Sequence, residues 1–287
     1  MSIGEQYQQL KESLQNIYSP GEAAAIAAML LEHFIGINRN EIALHKQKAI
    51  AQEKLDAMQN AKEELMLHKP LQYVLGEAWF YGLKFYVNEN VLIPRPETEE
   101  LVQEAIQWLR KEKLQHLTAL DIGTGSGCIP ISINKALPIV TMYAMDISEG
   151  ALQVAKKNAS VHGAAVNFML TDFLDENTWV GLPVYDCIIS NPPYIPVNEK
   201  SKLEKNVSDW EPATALFVPN DNGLLFYGKI AAFAKDHLKP AGKIFMECHQ
   251  DLATDTQSLF ERSGYRAILK KDMNGNDRML VVEKVDR

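Results

Sequence analysis

The first seventy residues place apolar and polar side chains at the spacing of α-helices. Ser19-Pro20-Gly21-Glu22 is a capping box with proline at the first helical position, and the apolar run behind it ends at Gly36. A second helical stretch is predicted at about 40–67, where apolar residues recur at roughly helical spacing. Lys69-Pro70 ends it, because a residue before proline is pushed out of the helical region. We therefore expect a small helical domain over residues 1–76.

The pattern changes over residues 77–94 to short aromatic and β-branched runs. Residues 78–94 read AWFYGLKFYVNENVLIP, and runs of this kind around a turn are typical of a β-hairpin. We predict the turn at Asn88-Glu89-Asn90. This hairpin linker separates the helical domain from a second domain over residues 95–287.

From residue 117 onward, short apolar runs alternate with longer helical patterns. This alternation indicates an α/β fold with a Rossmann-like, doubly wound and largely parallel sheet. Ligands of such sheets bind at the carboxyl ends of the strands, near the point where the strand order reverses. The predicted strands are 118–122, 141–147, 165–170, 184–190, 243–248 and a final pair near 265–272 and 278–285; the helices include 148–163 and 221–238.

Composition narrows the classes of function. The chain has 287 residues, of which 46% are hydrophobic and 23% charged, as in a folded globular protein. Lys and Arg number 29 against 37 Asp and Glu, for a net charge of −8. Proteins that bind nucleic acid through many phosphates need clustered positive charge, so we expect no direct nucleic-acid binding.

The cysteines and the N-terminus point to a cytoplasmic protein without a membrane segment. Cys128, Cys187 and Cys248 are odd in number and widely spaced, which predicts neither disulfides nor a metal site. The N-terminus lacks the layout of a secretory signal. The longest uncharged apolar stretch there, 23–31, is far shorter than the roughly 20 residues that span a bilayer.

A glycine-rich segment follows the first predicted strand of the sheet. In Asp121-Ile122-Gly123-Thr124-Gly125-Ser126-Gly127, glycine at alternate positions lets the backbone turn tightly and lets a ligand approach the main chain. The spacing differs from the Gly-x-Gly-x-x-Gly of pyrophosphate sites and lacks the Gly-Lys-Ser/Thr of NTPases, which argues against ATP hydrolysis. Alone, the segment is a weak signal for a nucleotide site, and a merely flexible turn is the alternative.

Acidic residues lie at the ends of the next two strands. Asp146 is placed to accept hydrogen bonds from both hydroxyls of a ribose, but it could also cap the next helix, and both roles are compatible through Ser148. Asp172-Phe173 offer the acceptor and the apolar face that an adenine needs. A surface loop with a buried phenylalanine accounts for the same spacing nearly as well.

Asn191-Pro192-Pro193-Tyr194 is the most informative segment. Two consecutive prolines exclude a helix interior or a central strand and make a stiff loop. The Asn191 amide and the Pro192 carbonyl provide two oxygen acceptors, which match the two hydrogens of a planar amide or exocyclic amine, and Tyr194 can stack on the planar group. Orienting such a poor nucleophile toward an electrophilic methyl group is worth up to roughly 7–11 kcal/mol.

Two further residues have open interpretations. Arg95, between two prolines, either orients an acidic group or caps the junction of hairpin and helix. His249 lies beside Cys248 and Glu247, but neighbours on a strand point to opposite faces, so a solvated or packed histidine is favoured over a metal ligand.

These motifs resemble those of the peptide chain release factor glutamine methyltransferase family, within the class I S-adenosylmethionine-dependent methyltransferases. The likeness runs from about residue 70 to the end, while the N-terminal helices agree with the family only as a helical domain. It departs at Glu247-Cys248-His249-Gln250 and at Gly228. The segments that carry it are 70–77, 80–82, 91–99, 121–127, 191–194, 211–212, 215–216 and 277–278.

The resemblance implies a cofactor, S-adenosyl-L-methionine, and roles for the motif residues. Residues of the glycine loop would face the methionine part of the cofactor, Asp146 its ribose, and Asp172 and Phe173 its adenine. Asn191, Pro192 and Tyr194 would be catalytic and, with Pro193, would hold the substrate amide; Asn191 would also border the cofactor. The loop residues are Gly123, Thr124, Gly125, Ser126 and Gly127.

The implied substrate is the glutamine of the Gly-Gly-Gln motif in class-I release factors, and we expect a monomeric enzyme. Three alternatives remain open. The same chemistry on a ribosomal-protein glutamine is close behind. An amino-methyltransferase of DNA or RNA bases is disfavoured by the charge of −8. An adaptor that only senses S-adenosylmethionine would not need the amide-binding loop.

Overall fold

The computed structural model describes residues 1–112, 116–220 and 222–285. Its α-helices are α1 (Ile3–Leu14), α2 (Pro20–Ile35), α3 (Ile42–His45), α4 (Gln52–Met66), α5 (Leu71–Leu75), α6 (Pro96–Lys111), α7 (Cys128–Ala136), α8 (Glu149–His162), α9 (Lys205–Ser208), α10 (Ala213–Leu216), α11 (Leu225–His237) and α12 (Ala253–Arg262). Its strands are β1 (Glu77–Phe80), β2 (Leu83–Tyr86), β3 (Leu117–Ile122), β4 (Val140–Asp146), β5 (Val166–Leu170), β6 (Tyr185–Ser190), β7 (Ile195–Pro196), β8 (Phe217–Val218), β9 (Leu238–Glu247), β10 (Tyr265–Lys271) and β11 (Asp277–Lys284).

The chain folds as two compact units. The first consists of Met1–Glu77 together with Lys205–Trp210, and the second of Ala78–Glu204 and Glu211–Arg287. None of the helices in the described ranges is long and apolar enough to cross a membrane.

The first unit is a helical bundle. The capping box predicted at Ser19 is present, with the Ser19 Oγ accepting from the Glu22 backbone N–H and the Glu22 carboxylate accepting from that of Ser19. Its core is formed by side chains of α1 to α5 and includes the fully buried Leu14, Leu31 and Met58.

The prediction of helical structure throughout 40–67 is wrong in its first half. α3 is a single turn, and α4 begins only at Gln52. Between them the chain pairs with the N-terminus: the Ile3 N–H donates to the Lys48 carbonyl at 2.9 Å, and the Ile50 N–H to the Met1 carbonyl at 3.1 Å. These long-range bonds use the backbone groups that a continuous helix would need.

The hairpin is present, but its turn lies elsewhere. Tyr81 and Gly82 join β1 to β2 with φ of +50° and +73°, the left-handed conformation that a tight two-residue hairpin requires at both central positions. Asn88-Glu89-Asn90, where we predicted the turn, instead forms a separate turn after β2. Phe80 and Phe85 of the hairpin are buried in a core cluster of the second unit.

The second unit is built on a seven-stranded sheet of order β10-β11-β9-β6-β3-β4-β5. β11 pairs antiparallel with both β10 and β9, and the other described strand pairs of this sheet are parallel. The expected Rossmann-like, largely parallel sheet is therefore confirmed. The helix predicted at 221–238 is α11; its proposed first residue, Asp221, lies outside the described residues.

Both faces of the sheet are covered. Ile188 and Ile189 are adjacent on β6, yet they belong to different core clusters because alternate side chains point to opposite faces. Cys128, Cys187 and Cys248 are free and buried. The strand order reverses at β3, since the chain continues to β4 on one side and later to β6 on the other.

Candidate functional site

The glycine loop leaves β3 and is held against the end of β4. The N–H groups of Gly123 and Thr124 donate to the Met145 carbonyl at 2.9 and 3.0 Å. Gly125 has a φ of +54°, and a Cβ added there would meet no heavy atom within 4 Å. At Gly127 an added Cβ would lie 3.1 Å from that of Ala155 on α8. One glycine thus leaves open space above the backbone, and the other permits close packing of the helix.

Buried polar atoms without a partner in the described residues cluster around this loop. They include both carboxylate oxygens of Asp121, the Thr124 Oγ1 and the Ser126 Oγ. Burial raises the pKa of Asp121 to about 7. Unpaired polar groups in a protein interior are costly, so this cluster lowers the stability of the ligand-free loop.

We expect the stability cost of Asp121 to grow with pH. Its pKa is 3.8 in the unfolded chain and about 7 in the folded protein, so over that window the folded state retains a proton that the unfolded state has lost. Stability should fall as the pH rises through the window. Asp121→Asn, which does not titrate, should therefore gain stability relative to the wild type between pH 5 and pH 8 in the ligand-free protein. Denaturant unfolding at both pH values measures this, and an equal difference at the two would contradict it.

Asp146, at the end of β4, connects three parts of the site. Its Oδ2 accepts from the Gly125 N–H at 2.9 Å and its Oδ1 from the Ser148 N–H at 2.9 Å. The helix cap itself is Ser148, whose Oγ accepts from the Ala151 N–H. Burial raises the pKa of Asp146. Each carboxylate oxygen has a further lone pair, which leaves acceptors for a ligand.

A cavity of about 310 Å³ lies at this edge of the sheet. It brings together residues predicted from four separate segments, while Thr124, Ser126, Gly127 and Tyr194 do not line it. The site residues predicted from the sequence did not include 90–92 or the lining residues of 212–219. Of these, 91–92, 212 and 215 lie in segments that carry the family resemblance, but no role was predicted for them. The predicted residues that line the cavity are Gly123, Gly125, Asp146, Asp172, Phe173, Asn191, Pro192 and Pro193.

Asp172 and Phe173 form one side of the cavity. Phe173 is 5% exposed, and its ring lies 5.4 Å from those of Trp179 and Phe233. Asp172 Oδ1 accepts from the Leu174 N–H at 3.0 Å, which fixes the loop conformation. The buried phenylalanine and the exposed carboxylate are compatible with either interpretation of the sequence.

Asn191 follows β6 and is held by two residues that our sequence reasoning did not single out for a role. Its Nδ2 donates to the Thr98 Oγ1 at 3.0 Å, and the Thr98 hydroxyl donates to the Glu247 Oε2 at 2.7 Å. Thr98 and Glu247 are each 3% exposed. Burial raises the pKa of Glu247. Thr98 lies in the motif at 91–99, which was a possible signal, but its distance from Asn191 in sequence gave no indication of this contact.

Tyr194 is packed beside His249, with ring centroids 5.5 Å apart. Burial raises the pKa of Tyr194 to about 12, so its hydroxyl stays protonated. His249 also accepts from the Asp251 N–H at 3.3 Å. It is thus a packed, partly exposed histidine. No group of three or more potential metal ligands occurs in the described parts of the chain.

Arg95 orients an acidic group, one of its two predicted roles. Its guanidinium lies 2.5 Å from the Glu211 Oε1, and the Glu211 Oε2 accepts from the Ile93 N–H at 3.2 Å. Arg95 makes no side-chain hydrogen bond as a helix cap. Parallel pairing of β7 with β8 adds a second link between distant segments. Together these contacts hold the segment after Glu211 as a wall of the cavity.

Comparison with known proteins places these features in context. Residues 103–208 match the methyltransferase small domain, and residues 5–76 match the PrmC N-terminal domain. The chain is 40% identical over 280 residues to the release factor glutamine methyltransferase of Flavobacterium psychrophilum, covering 96% of each protein. It is also 40% identical over 276 residues to that of Bacteroides thetaiotaomicron, covering 96% of this chain and 98% of the relative.

Among solved structures, a methyltransferase from Pyrococcus furiosus is similar in fold. It aligns with a TM-score of 0.51 and 18% identity, covering 79% of this chain and 99% of that one. At this level of identity the likeness concerns the fold alone.

Proposed function

The chain belongs to the release factor glutamine methyltransferase family, and from this premise we propose that it methylates the glutamine side-chain amide nitrogen in the Gly-Gly-Gln motif of class-I peptide chain release factors. The observation that carries the proposal is the orientation of Asn191: its amide nitrogen is engaged by Thr98, so its oxygen is left to accept from a substrate amide. The release factor is the protein partner, and the enzyme acts in the cytoplasm, where translation ends.

The methyl donor of the family is S-adenosyl-L-methionine, and the residues present fit it. When bound, it supplies an electrophilic methyl group. The open space beside Gly123 and Gly125, which both line the cavity, would admit the cofactor against the backbone. Asp146 would offer acceptors for the ribose hydroxyls, and Asp172 with Phe173 would border the adenine; all three residues line the cavity.

At the acceptor end, the chain binds and orients the substrate amide. The Asn191 Oδ1 and the Pro192 carbonyl accept its two hydrogens, which aims the nitrogen lone pair and favours positive charge on nitrogen as it pyramidalises. Tyr194 lies at the end of this loop, packed beside His249 and outside the cavity lining. The excess proton leaves to water, since the product amide is a very weak base.

Transfer of labelled methyl groups tests the proposal directly. The enzyme and labelled S-adenosylmethionine are incubated with purified release factor, with the same factor carrying Gln→Ala in its Gly-Gly-Gln motif, with ribosomal proteins and with nucleic acid. We expect label only on the unmodified release factor. Label on a ribosomal protein or on nucleic acid instead would favour the alternative substrates, and binding of the cofactor without any transfer would favour a sensor.

The helical first unit is proposed to position the release factor. The residues lining the cavity all belong to the second unit. Deleting residues 1–76 should therefore raise the KM for release factor while leaving S-adenosylmethionine affinity within about twofold. Cofactor titration shows whether the shortened chain folds. An unchanged KM in a shortened enzyme that binds cofactor normally would contradict this role.

A further inference from the structure

A line of three hydrogen-bonded side chains reaches from the core of the second unit to Asn191. Glu247 ends β9, Thr98 lies in the first turn of α6, and Asn191 follows β6. The distances are 2.7 Å from Thr98 Oγ1 to Glu247 Oε2 and 3.0 Å from Asn191 Nδ2 to Thr98 Oγ1. We call these residues the Glu247–Thr98–Asn191 relay.

The carboxylate of Glu247, at the buried end of the relay, sets the direction of both hydrogen bonds. An ionised carboxylate only accepts, so Thr98 must give its single hydroxyl hydrogen to Glu247. Thr98 can then only accept from Asn191. Burial, the strongest effect, raises the pKa of Glu247, whereas the hydrogen bond from Thr98 and the charge of Arg278 favour the ionised form that this direction requires.

This direction matters because the two ends of an asparagine amide have nearly the same shape. Sterically, the side chain of Asn191 fits equally well with nitrogen or oxygen toward Thr98. With the oxygen toward Thr98, the cavity would receive an NH₂ group, which is a donor facing the donor hydrogens of the substrate amide. Packing alone cannot select between the two orientations, whereas hydrogen-bond direction can.

Building on the proposed function, we propose that Glu247 and Thr98 are positioning residues, which hold Asn191 with its Oδ1 toward the methyl-acceptor amide. Neither residue lines the cavity, so both act through Asn191. The relay fixes the acceptor before substrate arrives, and this lowers the cost of reorganisation during the reaction.

A hydroxyl-specific series is the first test. Thr98→Val removes the hydroxyl at nearly constant shape. It should lower kcat about 5- to 30-fold, the effect of losing a hydrogen bond of about 1–2 kcal/mol. The KM for release factor and the affinity for the cofactor should each stay within about twofold of the wild type. Thr98→Ser keeps the hydroxyl and should restore most of the activity. A valine variant with wild-type kcat, or a serine variant as slow as the valine one, would overturn the relay.

The second unit provides a matched control. Thr118, at the opposite end of the sheet, donates from its Oγ1 to the buried Asp186 carboxylate at 3.0 Å. Thr118→Val therefore removes the same kind of threonine–carboxylate bond away from the cavity. It should leave kcat unchanged, and an equal loss in both valine variants would assign the effect to general stability and overturn the proposal.

Reversing the relay is the sharper test. Glu247→Gln can either accept from Thr98 or donate to it, so the direction of the relay is no longer fixed. Asn191 then presents its NH₂ to the cavity part of the time, and kcat falls. Asn191→Asp alone also lowers kcat, because two carboxylates then compete for one hydroxyl hydrogen. In the double variant the glutamine donates to Thr98, Thr98 donates to the new carboxylate, and an oxygen faces the cavity again.

We expect the double variant to be about tenfold faster than Asn191→Asp alone, a non-additivity of the size found for directly coupled groups. If the double variant instead loses kcat by the product of the two single-variant losses, the relay is overturned. Failure of the proposed function is distinguishable, since the wild-type enzyme would then transfer no methyl group to release factor at all.

Discussion

Asn191→Ala should lower kcat for release factor methylation by about 10²–10³-fold, as does loss of one preorganised donor from an oxyanion hole. The substitution removes the acceptor that strengthens as the amide nitrogen gains positive character, while the Pro192 carbonyl stays in place. The loss should fall on kcat because the interaction is strongest in the transition state. Single-turnover transfer of labelled methyl groups to purified release factor measures it.

Affinity for S-adenosylmethionine is the internal control and should change far less. Asn191→Asp is the matched variant: its carboxylate still accepts, so it should be faster than the alanine variant, and slower than wild type because it faces Glu247 across Thr98. Wild-type turnover in Asn191→Ala would reject the amide-orienting mechanism.

Asp146→Ala should weaken S-adenosylmethionine binding about 10- to 150-fold, which corresponds to about 1.5–3 kcal/mol for hydrogen bonds to a charged group. The substitution removes the acceptors for the ribose and also the contact of Oδ2 with the Gly125 N–H. Calorimetric titration with the cofactor measures the affinity, and unfolding curves establish that the variant is folded.

An analogue of S-adenosylhomocysteine that lacks both ribose hydroxyls separates those two effects. If Asp146 binds the ribose hydroxyls, their removal should cost affinity in the wild type and very little in Asp146→Ala, a double cycle of protein and ligand. An equal cost in both proteins would mean that Asp146 acts only by holding the glycine loop. NAD should not bind measurably to either.

Local patterns along the chain were sufficient to predict the sheet class and most of the helices and strands of the sheet domain. The capping box at Ser19, the period of the strands and the helices between them each depend on neighbouring residues, and the structure contains them. The family, too, was identified from short motifs, and the similarity to curated relatives confirms it.

Where local signals competed, tertiary contacts decided. Residues 46–50 have a helical spacing, yet they pair with the N-terminus because those backbone groups gain partners there. The hairpin turns at Tyr81-Gly82, and not at the more turn-like Asn88-Glu89-Asn90, because the burial of Phe80 and Phe85 on one side fixes the register.

The sequence by itself determined which residues carry acceptors at the strand ends: Asp146 and Asn191 each terminate a predicted strand, and parallel strands bring such ends to one edge. Only the tertiary structure decided how those acceptors are aimed. Thr98 and Glu247 are 149 residues apart, and no periodicity connects them. Their hydrogen bond arises because α6 packs near the end of β9, and hydrogen-bond direction, unlike burial, depends on which partner stands opposite in space.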